Sequence, residues 1–134
     1  MASFNKFNAF VEDLAEKVHN LGTDALTVAL TNTAPTAANS VLADITQIAY
    51  TNLSARTLTT SSSAQSAGTS SLVIADKVLT ASGGAVATFR YVVIYNATAA
   101  AGNLIGWYDY GAGVTLADGE TFTIDFGANL FTLA

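Results

Sequence analysis

The sequence contains no cysteine, a single histidine (His19) and a single proline (Pro35) in 134 residues. The missing thiols exclude disulfides, thiolate nucleophiles, Cys-ligated zinc and iron–sulfur clusters, and they leave the redox compartment open. One histidine excludes multi-histidine metal sites. Charge is scarce as well: Asp, Glu, Lys and Arg make up 11% of the chain, against about a quarter in an ordinary soluble domain. With 5 basic residues against 10 acidic ones, there is no basic footprint for nucleic acid. No apolar run approaches the roughly 18 residues of a spanning helix, so no membrane partner is expected. Lys6, Glu12, Asp13 and Glu16 stand where a secretory signal would carry its apolar stretch, and no such signal is expected either.

What fills the gap is small and neutral. Alanine (25), threonine (18) and serine (10) supply 53 residues, while 51% of the chain is hydrophobic. Such a composition suits tightly packed strands with hydroxyls where charges usually sit. The length fits one domain, 1–134, with one core.

Two periods divide the chain. Phe4, Phe7, Val11, Leu14, Val18 and Leu21 are spaced 3-4-3-4-3, which predicts an amphipathic helix over about 3–21, with Ser3 as N-cap, Gly22 as C-cap, and Phe7, Val11, Leu14 and Val18 buried. His19 then falls at the helix end, with no partner visible in the sequence. From about residue 25 the period becomes 2. Leu26, Val28 and Leu30 alternate with Thr27, Ala29 and Thr31 as a half-buried strand. The hydroxyl-rich 56–71 stretch reads as an exposed hairpin, and Ala85–Asn96, apolar on both faces, as a central strand. Leu104–Tyr110, Val114–Leu116 and Thr121–Phe126 follow, broken by Gly111-Ala-Gly113 and by Asp118-Gly119, the tightest turn signal. Phe122, Ile124 and Phe126 are expected to point inward. The expectation is a mainly β fold: a β-sandwich or barrel-like pair of antiparallel sheets, about seven to eight strands, with one N-terminal helix against them.

Motifs for chemistry are missing. There is no G-x-S-x-G and no S-x-x-K, and Asp125-Phe126-Gly127 lacks every other part of a kinase site. Asp109, Asp118, Glu120 and Asp125 have no EF-hand spacing and read as solvated turn and strand residues. No catalytic residue, cofactor site or metal site is assigned. Among the aromatics, Tyr108 and Tyr110 beside Asp109 and a glycine-rich turn are the candidates for outside contact. Together with Leu116 and the hydroxyls of the 56–71 stretch (Thr57, Thr59 and Thr60 among them), they form the candidate interface.

The opening Phe4-Asn-Lys-Phe-Asn-Ala-Phe-Val-Glu-Asp-Leu-Ala-Glu-Lys-Val-His-Asn-Leu-Gly and Leu26-Thr-Val-Ala-Leu-Thr-Asn-Thr-Ala-Pro, with the closing Phe89-Arg-Tyr-Val-Val-Ile-Tyr-Asn, Leu104-Ile-Gly-Trp-Tyr-Asp-Tyr-Gly and Leu116-Ala-Asp-Gly-Glu-Thr-Phe-Thr-Ile-Asp-Phe, resemble a family of small structural proteins of tailed bacteriophages. The likeness covers both ends and leaves 35–85 largely unmatched. It implies a virion component, first of all a capsid decoration (cement) protein that binds the major capsid protein at the capsid surface after waiting in the host cytoplasm. It also implies a homo-oligomer, with a trimer favoured. A head–tail connector, a tail or receptor-binding tail component, and a non-viral carbohydrate-binding or adhesin-like β module are the alternatives.

Overall fold

The computed structural model describes residues 2–134. Strand takes 46% of the chain and helix 8%, in a sandwich-like arrangement and not a closed barrel. The expected mainly β class therefore holds. Nine strands are present among the described residues: β1 (Phe4–Lys6), β2 (Leu26–Thr31), β3 (Thr60–Ser66), β4 (Thr69–Ile74), β5 (Lys77–Thr80), β6 (Val86–Asn96), β7 (Leu104–Leu116), β8 (Thr121–Ile124) and β9 (Phe131–Leu133). They form three antiparallel sheets, ordered β1-β7-β6-β2, β3-β4-β9 and β5-β8.

The four-stranded sheet is covered on both faces. On one side Leu26, Val28 and Leu30 of β2 join Val92 and Ile94 of β6, with Leu72, Ile74, Leu79 and Ile124 from the smaller sheets. On the other side Phe7, Ala29, Ile45, Val93 and Leu104 make a second cluster, with Trp107 packed against it. This second cover corrects the reading of β2 as half-buried, for all six of its residues are buried. The small Ala29 leaves room for Ile45, and the Thr31 hydroxyl donates to the carbonyl of Thr46. Strand β6 lies between β7 and β2, as its two apolar faces require.

The helix is much shorter than the stripe suggests. Helix α1 spans Ala9–Ala15. Phe4–Lys6 instead pairs along β7, with Phe4 opposite Tyr108 and Lys6 opposite Gly106. The helix closes at Lys17 and not at Gly22. Lys17 takes φ 70°, and the Val18 amide donates to the Asp13 carbonyl at 2.8 Å, the six-to-one bond of a Schellman cap. Of the expected buried set, Phe7 is fully enclosed, Leu14 and Val18 are half-buried, and Val11 is 49% exposed. Phe10, outside the stripe, is the side chain of α1 that enters the core.

Of two turn expectations, one changes and one holds. The glycines at 111 and 113 do not end a strand: β7 runs on for 13 residues. Between the pairs Phe89↔Val114 and Tyr91↔Asp109, Tyr110–Gly113 bulges out opposite Arg90 alone. At Asp118-Gly119 the chain turns, but β8 pairs with β5 and not with β7. The turn instead docks on the 81–83 segment, where Gly119 N–H donates to the Ala81 carbonyl at 2.8 Å and Gly83 N–H to Asp118 Oδ1 at 3.0 Å.

Candidate functional site

The expected exposed hairpin is present as β3 and β4. Its two-residue turn, Ala67-Gly68, has positive φ at both positions (49° and 84°), the twist that suits a tight hairpin. Thr57 and Thr59 are exposed, Thr60 is half-buried, and every later residue of β3 is exposed. Strand β3 is an edge of its sheet. With Ser66 opposite Thr69 across the turn, the bond alternation of an antiparallel pair points the main-chain groups of Ser63 and Gln65 away from β4. Thr-Ser-Ser-Ser-Ala-Gln-Ser carries no charge and no proline, the usual guards of an edge.

The outer edge of β2 is treated differently. It meets the 46–58 segment through bridges Thr31↔Gln47 and Thr27↔Thr57, and Arg56 Nη1 donates to the Val28 carbonyl at 2.6 Å. The Arg56 guanidinium also sits over the Tyr50 ring, 3.7 Å from its centroid. That edge is closed, so Thr57 is partly committed inside the fold.

The other candidate contacts divide. Tyr108 and Leu116 are both 4% exposed, which removes them from any free surface. Tyr108 packs against Phe4, Tyr110 and Phe126 with ring centroids 5.9–6.4 Å apart. Leu116 packs with Ala81 and Val86. Tyr110 is half-buried, edge-on to Phe122 at 5.0 Å. Both phenols are pushed up to about 12, first by burial, with Asp125 adding for both and Tyr110 also for Tyr108. They therefore stay protonated and uncharged at neutral pH.

Tyr110, Asp109, Gly111, Thr123, Asp125 and Ala2 line an open depression of about 470 Å³. Its carboxylates are engaged. Asp109 makes a two-pronged pair with Arg90 (2.8 and 3.1 Å) and accepts from the Gly111 amide. Arg90 first, and the amide second, hold the Asp109 carboxyl below its ordinary range. Asp125 accepts from the Gly127 amide at 2.7 Å. Asp118 likewise accepts from the Gly83 amide of the facing segment, and Glu120 from the Ala117 amide of its own turn. Among the described residues no three His, Asp or Glu side chains gather as a metal site.

A polar cluster that the sequence did not reveal lies inside the fold. His19 is 5% exposed, beyond the end of α1 and against the Phe10 ring (5.3 Å). The Asn96 amide nitrogen donates to His19 Nδ1 at 3.0 Å and to Asp24 Oδ2 at 2.6 Å. Its oxygen accepts from the Thr98 and Ala99 amides. His19 Nε2 has no hydrogen-bond partner and lies 4.0 Å from Asp13 Oδ2, which accepts from the Asn103 amide group. Burial lowers the His19 pKa from its ordinary 6.5, with Asp13 and Asp24 pulling the other way. Residues 77 positions apart meet here, and no local pattern announces such a contact.

The chain matches no family model, no curated protein and no solved structure. Among the described residues no helix is long and apolar enough to cross a membrane.

Proposed function

We propose that this chain is a non-enzymatic structural protein of a tailed-phage virion that decorates the capsid by binding the major capsid protein. The observation that carries the reading is the β3–β4 hairpin: a long, exposed strand edge with no charge and, among the described residues, no strand paired to its outer side. Such a surface is cheap to desolvate, because hydroxyls give up less hydration than ammonium or carboxylate groups, and charge depletion marks the centres of protein interfaces. The free main-chain groups of Ser63 and Gln65 supply strand-addition contacts that do not depend on side-chain charge. Many identical copies, each held by modest neutral contacts, is the arrangement a preformed shell needs. The phage resemblance at both ends of the chain supports the same assignment.

The test is to strip the protein from expanded capsids and rebind it across a salt series, counting copies per particle. Hundreds of copies with weak salt dependence are expected, since few ion pairs are available to be screened. Ser63→Lys, which sets a charge on the edge without touching the core, should reduce rebinding while leaving thermal unfolding unchanged. A handful of copies at one vertex or on the tail would overturn decoration and support a connector or tail component.

A further inference from the structure

We propose that His19 works as a proton-operated latch, holding the 16–25 connection against the end of β6 and the 97–103 loop while neutral and releasing them when protonated.

The latch rests on the orientation of Asn96. Its amide oxygen already accepts two backbone N–H groups, from Thr98 (2.9 Å) and Ala99 (3.2 Å), and its nitrogen already donates to Asp24. Turning the amide over would set oxygen against a carboxylate and nitrogen against two N–H donors. The amide is therefore fixed with its N–H toward His19, and His19 Nδ1 must accept. That makes the ring the neutral Nε2–H tautomer. Adding a proton places an N–H on Nδ1 facing the Asn96 N–H across 3.0 Å, donor against donor, and the bond is lost.

The ionisable groups around the ring are few. From α1 comes Asp13, from the connection itself Asp24 and Lys17, and the end of β6 and the 97–103 loop offer only Asn96 and Asn103. On the far side the shallow cleft at Leu14 and Leu21 is walled by Ser63, Ser70 and Leu133, none of them titratable. The two carboxylates favour the charged ring and burial opposes it, burial being the larger effect. The folded chain thus binds the proton less readily than the unfolded chain. Stability is unaffected above the ordinary midpoint of 6.5 and is drawn off as pH falls from there toward the lowered one.

What would open is defined by its remaining ties: Ala25 N–H to Thr98 Oγ1 (2.8 Å), Ala97 N–H to the Ala25 carbonyl (2.8 Å), and Asn103 to Asp13 (3.0 Å). The half-buried Leu14 and Leu21, and Phe10 beneath the ring, are the apolar surface uncovered.

Because the chain has one histidine, nitrogen-15 NMR of the unaltered protein reads the site directly. At about pH 7.5, Nδ1 should be unprotonated and Nε2 protonated. The titration midpoint should lie below 6.5. Hydrogen exchange, corrected for intrinsic rates, should show amides of 18–25 and 97–103 opening up to about tenfold more for each pH unit between the two midpoints, while the centre of β6 stays protected. In His19→Gln, which keeps an acceptor for Asn96 but cannot titrate, that pH dependence should vanish. An Nδ1–H tautomer, a midpoint at or above 6.5, pH-independent opening, or unchanged pH dependence in the variant would each overturn the proposal. Should His19→Gln not fold, the tautomer and midpoint of the unaltered chain decide it alone.

Discussion

Replacing Phe7 with alanine tests the claim that the central sheet is packed on two faces. Phe7 is fully enclosed, with its ring 4.6 Å from that of Trp107. Together with Ile45 it covers Ala29, Val93 and Leu104 of the central sheet. Deleting a buried phenyl ring removes its transfer energy and leaves a cavity, a loss of about 3–5 kcal/mol. A small domain holds only about 5–15 kcal/mol in total. At about 3–5 °C per kcal/mol for a chain of this size, the melting temperature should fall by about 10–20 °C. Val11→Ala is the matched control. Val11 lies on the same predicted stripe but is 49% exposed, so its removal should change stability by about 0.5 kcal/mol or less. Both can be followed in urea by the fluorescence of Trp107, the only tryptophan and a direct neighbour of the deleted ring. Equal, small effects would refute the two-faced sheet. Equal, large effects would restore the long helix with its whole stripe buried.

Two further substitutions probe close approaches of the backbone. At Gly106 an added Cβ would fall onto the Phe4 ring and 2.7 Å from the Asn5 carbonyl oxygen, so Gly106→Ala should lift β1 at about 1–3 kcal/mol. It should also abolish exchange protection of the Phe7 amide, which donates to Ile105. Adding Phe4→Ala should not restore that protection, because the carbonyl still blocks the site. In the hairpin turn, Ala67 sits at φ 49°, where asparagine is tolerated better than alanine; Ala67→Asn should stabilise by about 0.5–1 kcal/mol, and a fall in melting temperature would contradict the turn geometry.

The strand positions were legible where one rule governed them. Phe122, Ile124 and Phe126 point inward as their alternation requires, and the two-sided apolar run of β6 marks the sheet centre. Legibility failed where tertiary contacts chose between local options. The spacing of Phe4 and Phe7 fits a helical stripe, yet it fits equally an edge strand followed by a turn. The unpaired edge of β7 decided for the strand. Tyr108 and Tyr110 have the same parity, and both face the main core. A glycine-rich bulge beside them looked like a surface signal, though what it does is let β7 continue past Arg90. The His19–Asn96 contact had no sequence signal at all.

The acidic balance has a structural source that composition alone could not show. Seven of the ten acidic side chains accept bonds from backbone N–H groups: Asp24, Asp44, Asp76, Asp109, Asp118, Glu120 and Asp125. A carboxylate is an acceptor only, so it suits turns and strand ends where amides lack a ladder partner. In a chain with many short strands such places recur, and lysine or arginine cannot fill them. Negative charge therefore accumulates at turns and strand ends, where these carboxylates are occupied by backbone donors. The β3–β4 hairpin follows the same logic in reverse. Its turn relies on left-handed φ at Ala67 and Gly68 and on Gln65 Oε1 accepting from the Gly68 amide, so it closes without any charge. Neutrality at the hairpin and acidity elsewhere are thus two outcomes of how each turn satisfies its amides, and they leave the β3 edge without a charge.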